Sequence, residues 1–200
     1  MRDDGVLGYD EADRRRLREL GCDALRGPEG LRGVLDRFGY LDEWRTRYCI
    51  RSVRASLHAS RITCIDAAIL SYGLLELLFP RVKRRLLAIH RRDPKTDEEC
   101  GHCVALFWGD DGMVGALSKS SFAGLGHREA VHVDEHAVAE SYAAAYLAMD
   151  FEPLYFGVST LEEVAPEVDW RLSPGSLNVL SERLQATYAY AFALPSRSPS

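Results

Sequence analysis

The chain has 200 residues, 46% of them apolar, and a formal net charge of −5, which sets the expectation of one domain with a real core. That charge lacks the basic footprint of a general nucleic-acid binder. No stretch approaches the ~18 consecutive apolar residues of a membrane span.

The first third reads as helices. Residues 10–20 are strongly charged. After a Gly27-Pro28 break, 29–38 place Leu31, Val34 and Leu35 on one face. Residues 40–57 carry Trp44, Tyr48, Val53 and Leu57 at helical spacing. An apolar helix over 65–79 follows, ended by Pro80, with Thr63 as N-cap and Asp66 completing a capping box. The period then changes. Residues 85–90 and 102–108 read as strands, 109–112 (Gly-Asp-Asp-Gly) as a hairpin turn, and 113–117 as a third strand. Residues 118–129 read as loop or irregular strand, and 134–149 as an Ala-rich helix capped by Asp134. Helices ahead of strands, rather than alternating βαβ units, argue an α+β fold. A single domain over 1–194 is expected, with 195–200 a disordered tail. The acidic start, Met1-Arg2-Asp3-Asp4-Gly5, lacks the apolar run of a secretory signal, so the expected compartment is the cytoplasm. Five cysteines, at 22, 49, 64, 100 and 103, lack the spacing of a disulfide framework, and reduced thiols are expected.

Cys64 is the most informative position. Behind a Thr63 cap it is the first helical residue, where unpaired N–H groups and the helix dipole favour thiolate, the form that attacks acyl carbons. The bland alternative is a small buried hydrophobe. His102 opens a strand and could act as general base; the bland alternative is a polar strand end.

The run Thr63-Cys64-Ile65-Asp66-Ala67-Ala68, the strand at 85–90, His102-Cys103-Val104-Ala105-Leu106-Phe107, the turn at 109–112 and the strand at 113–118 together resemble the transglutaminase-like branch of the papain-like cysteine superfamily. The resemblance covers roughly residues 45–125 and rests on element order and spacing. The chain is also similar to a group of bacterial transglutaminase-like proteins with a Cys helix, an H-x-V-A-L-F-like strand and a G-A-x-x-K-[ST] segment, here Gly115-Ala116-Leu117-Ser118-Lys119-Ser120. The resemblance implies an α+β fold of the papain-like, transglutaminase-like kind, in which a helical N-terminal part supports a Cys-bearing central helix packed on a small antiparallel sheet. It implies cysteine acyl transfer on an amide or thioester, with Cys64 as nucleophile and His102 as base and acid. The acyl group passes to an amine or to water. No metal or organic cofactor is implied. The implied partner is the amide or thioester substrate, carrier-protein-bound donors included, with no nucleic acid and no membrane.

One departure matters. The family's third residue is an aspartate, due here at Leu117 or Ser118, and neither is acidic. Ser118 could orient the imidazole but cannot supply the charge that stabilises imidazolium. Asp66 lies one turn from Cys64 but faces it poorly, and Asp110 and Asp111 belong to the far end of the hairpin. A non-catalytic transglutaminase-like binding or assembly protein therefore stays open.

Other constellations compete. Cys100-Gly101-His102-Cys103 matches the CxxC of thiol–disulfide proteins, but an acidic loop precedes it and a strand-like run follows. Cys64, Cys100, His102 and Cys103 form a mixed S/N set for zinc without the usual second ligand pair. His127, His132 and His136 read as a solvated loop and helix start. The basic run 81–95 reads as a solvated face or as a dock for an acidic partner, with Lys119 a further positive charge near the site. Tyr142 and Tyr146 with Leu147 read as core, as do Tyr188 and Tyr190, whereas Trp170 and Tyr155 receive no role.

Overall fold

A computed structural model describes residues 8–42 and 49–192. The N-terminal part is helical, as its caps dictate. Asp10 and Asp13 form a capping box at the start of α1 (Glu11–Glu19). The expected helix over 29–38 divides into a 3-10 turn at Pro28–Gly30 and α2 (Leu31–Asp36). The expected helix over 40–57 is not formed as one element. Gly39–Tyr40 (β1) pairs in parallel with Arg61–Ile62 (β2), and only Val53–Leu57 (α3) is helical. Ser52 starts α3 afresh from extended backbone by accepting from Ala55 N. Trp44 and Tyr48, like the tail 195–200, lie outside the described residues.

Helix α4 (Cys64–Leu78) is the central element, and residues 66–75 are all buried. It packs on one face of an antiparallel sheet built from β3 (Arg84–Arg92), β4 (Glu99–Trp108), β5 (Val114–Leu117), β6 (Arg128–His132), β7 (Glu152–Ser159) and β8 (Tyr190–Ala191). The strand order is β6-β5-β4-β3-β7-β8. Leu86, Ala88, Cys103, Ala105 and Phe107 face α4. Leu87, Ile89, Val104 and Leu106 face α5 (Glu135–Ala148), through Val138, Tyr142 and Tyr146. Both faces are covered, so β3 and β4 read as continuous apolar runs rather than alternating ones.

The architecture is thus α+β, with the Cys-bearing helix on an antiparallel sheet. The sheet is larger than the expected small one, because β7 inserts beside β3 at its centre. Its Pro153, unusual in an inner strand, pairs with Arg91 where the β3–β7 register shifts. After β7 come α6 (Leu161–Val164) and α7 (Val179–Gln185). Trp170 is buried edge-on against Tyr72, so its role is packing. Tyr155 is exposed.

Candidate active site

Cys64 is the first residue of α4. Thr63 Oγ1 accepts from Asp66 N at 3.2 Å, and Asp66 Oδ2 accepts from Thr63 N at 3.3 Å. The buried Asp66 carboxylate also accepts from Arg51 N at 2.9 Å and from the Arg51 guanidinium at 3.4 Å. Asp66 therefore builds the helix start. Cys64 is 6% exposed and His102 5%. The two reach one cavity of about 360 Å³, walled by Gly101, Cys103, Gln185 of α7 and Tyr188. A smaller space of about 30 Å³ runs from the same pair toward Arg91, Cys100, Ser120 and Phe122. β5 pairs with β4 only as far as Ala105↔Leu117, leaving the His102 half of β4 without β5 alongside.

Residue 118, where the family has its acid, comes back to the imidazole. His102 Nε2 lies 2.9 Å from Ser118 Oγ, and that hydroxyl donates to Leu125 O at 2.8 Å. A hydroxyl whose proton is spent on Leu125 can only accept from the ring, so the network assigns the proton to Nε2 and the lone pair to Nδ1. Nδ1 has no hydrogen-bond partner among the described residues. Burial pushes the His102 pKa down to about 4, with the Arg128 and Arg91 charges adding to the depression against the help of the Leu125 carbonyl. The resting ring is neutral. A neutral ring can accept a proton, and among the described residues no charged side chain hydrogen-bonds it.

Sequence reasoning missed two residues here. His127 Nδ1 accepts from Ser118 N at 3.0 Å, and its Nε2 faces Asp36 Oδ1 at 3.7 Å. It holds Ser118 and is not a solvated loop residue; burial lowers its pKa. No local pattern announces this contact, which the returning loop creates. Arg91 was hidden in the basic run, although the inward register Leu87, Ile89, Arg91 signals it. It is 6% exposed and stacks over Phe151 at 3.7 Å.

The rest of the basic run is largely matched by opposite charge. Arg84 pairs with Glu76, Arg85 with Glu135, Arg92 with Glu152 and Lys95 with Asp150, while Lys83 sits over Trp108. It is not a patch of unspent charge. Lys119 Nζ donates to Leu35 O at 3.0 Å, which ties it to α2. The CxxC reading meets a geometric obstacle. Cys100 and Cys103 both lie in β4, three residues apart and hence on opposite faces, with Cα atoms roughly 10 Å apart, beyond disulfide reach. All five cysteines are thiols. Among the described residues, no group of three or more His, Cys, Asp or Glu side chains converges as a metal site. His136 instead packs edge-on against Phe156 and Tyr190. No helix among the described residues is long and apolar enough to cross a membrane.

Fold and site together define a class: an α+β chain with a thiol at a capped helix start and a buried, serine-bound imidazole sharing its cavity. No protein-family model matches the chain, and no curated protein matches it. Among solved structures, Legionella pneumophila LapG is similar, with TM-score 0.45 and 15% identity over 88% of this chain and 92% of that one. Its EGTA-treated form gives 0.42 and 14% over 90% and 92%. The calcium-bound form gives 0.42 and 16% over 90% and 93%. A likeness at this level carries no argument about chemistry, which rests on the site's own geometry.

Proposed function

We propose that this chain performs cysteine-dependent acyl chemistry on an amide or thioester, in the manner of the transglutaminase-like branch its sequence resembles. The observation that carries the reading is the shared cavity: Cys64 at the capped start of α4 and His102 with Nε2 engaged by Ser118. In the first step the Cys64 proton passes to His102 Nδ1 as sulfur bonds to the carbonyl carbon. The resulting oxyanion meets the backbone N–H groups of the helix start. The C–N or C–S bond then breaks, and the leaving group takes the proton from Nδ1. An amine or water attacks the acyl-enzyme, giving transfer or hydrolysis, and its proton returns through His102. Ser118 is the orienting residue. The substrate partner is the amide or thioester itself, free or carrier-protein-bound.

The test is the alkylation rate of each cysteine against pH, by peptide mapping, in the wild type and His102→Ala. Fastest reaction at Cys64, slowed by removal of His102, supports the pair. A silent Cys64 retires the enzyme reading. A second reading, a non-catalytic binding or assembly protein of the same fold, draws on the serine at position 118 and the depressed His102. It predicts that silent outcome.

A further inference from the structure

Arg91 is a buried cation, and Asp42 is the acid that lines the same space. Its register places it on the His102 face of the sheet, beside Cys100. The guanidinium lies 3.7 Å over the Phe151 ring and 5.7 Å from those of Phe122 and Tyr146. It makes no ion pair and no hydrogen bond among the described residues. Arg128, on the same face, differs. It stacks on Tyr142, and its N–H groups are spent on Ser141 and on the carbonyls of Gly124, Gly126 and His127. Aromatic faces offset part of the cost of burying a guanidinium, but they leave its planar edge of donors unused, and that edge suits a carboxylate. Arg91 lines the space of about 30 Å³ that also touches Asp42, Cys64, His102 and Ser120.

We propose that Arg91 binds a carboxylate of the substrate, so that Cys64 acts on amides or thioesters carrying an anionic group close to the reacting carbonyl. This rests on the acyl-chemistry reading above. It also answers the missing aspartate. Arg91 opposes a proton on His102, and position 118 offers no negative charge. A substrate carboxylate seated on Arg91 cancels that opposition, so the imidazole accepts the thiol proton chiefly when the site is filled.

The full chain is treated with iodoacetate or iodoacetamide, which differ in bearing a carboxylate or an amide. In both, the thiolate sulfur displaces iodide and forms an S–C bond. Rates at Cys64 are divided by those at the exposed Cys49. At Cys64 the iodoacetate preference is expected to exceed that at Cys49 by about tenfold or more, to vanish in Arg91→Met and to survive in part in Arg91→Lys. A second measurement needs no reactive thiol. Succinate, but not succinamide, should raise the melting temperature of the wild type and of Cys64→Ala, and not that of Arg91→Met. If Cys64 reacts without charge preference and succinate has no specific effect, the anion site is wrong and the acyl reading stands. If Cys64 is inert yet succinate acts through Arg91, the anion site stands and the nucleophile falls; if both fail, both are withdrawn. Should Arg91→Met not fold, Arg91→Lys and the succinate–succinamide comparison in the wild type decide.

Discussion

Acid should unfold this protein partly through one histidine. In the folded chain burial keeps His102 neutral down to about pH 4, whereas a solvated imidazole is half-protonated at 6.5. Below 6.5 the unfolded chain therefore binds a proton that the folded chain refuses. Stability falls as pH drops from 6.5 toward 4, and the full contribution is present above 6.5. The whole interval corresponds to about 3 kcal/mol, and about 2–3 kcal/mol is lost by pH ~4.5. Urea unfolding of the wild type and His102→Gln at pH ~7.5 and ~4.5 isolates this share. The surface carboxylates and His127 are common to both proteins, so the difference between the two pH-induced losses reports His102. The wild type should lose about 2–3 kcal/mol more than the variant. A double difference under about 1 kcal/mol would refute a neutral, buried imidazole at this position.

Ser118→Ala removes the hydroxyl that joins the His102 ring to the Leu125 carbonyl in the interior. It should cost about 1–3 kcal/mol in urea melts and slow Cys64 alkylation without removing the thiol. Asp66→Ala removes the acceptor of Arg51 N and Thr63 N. The expected loss is about 2–4 kcal/mol by the same assay, with the start of α4 losing protection in hydrogen exchange. Gly157→Ala drives a Cβ into the backbone carbonyl of Thr187. Backbone cannot swing aside as a side chain can, so about 2 kcal/mol or more should be lost. A melting temperature equal to the wild type's would mean that the segment after α7 adapts freely.

What was legible follows from how local each signal is. The start of α4 reads directly, because Thr63 and Asp66 satisfy each other within one turn. The hairpin also reads directly, since Gly112 takes the positive φ its turn requires. The return of Ser118 to His102 was implied by the family resemblance, which puts its third residue at Leu117 or Ser118, and the structure brings Ser118 to the imidazole. Strand β7 could not be read. Pro153 and Gly157 argue against an inner strand, and only the register shift beside Arg91 accommodates the proline. Likewise 40–57 carries helical spacing, but Ser52 restarts the chain and Tyr40 is drawn to Ile62. Arg91 was lost by counting it with neighbouring arginines that turn outward.

The central place of β3 has a consequence for biosynthesis. Its partner β4 follows within a few residues, but its other partner, β7, ends only at Ser159. Until that stretch leaves the ribosome, the row Leu86, Leu87, Ala88 and Ile89 presents an open edge able to pair with another chain. Newly made protein thus passes through an interval in which a row that is later buried is an exposed strand edge. Slow synthesis between residues 92 and 152 should lengthen that interval and raise the demand for chaperones.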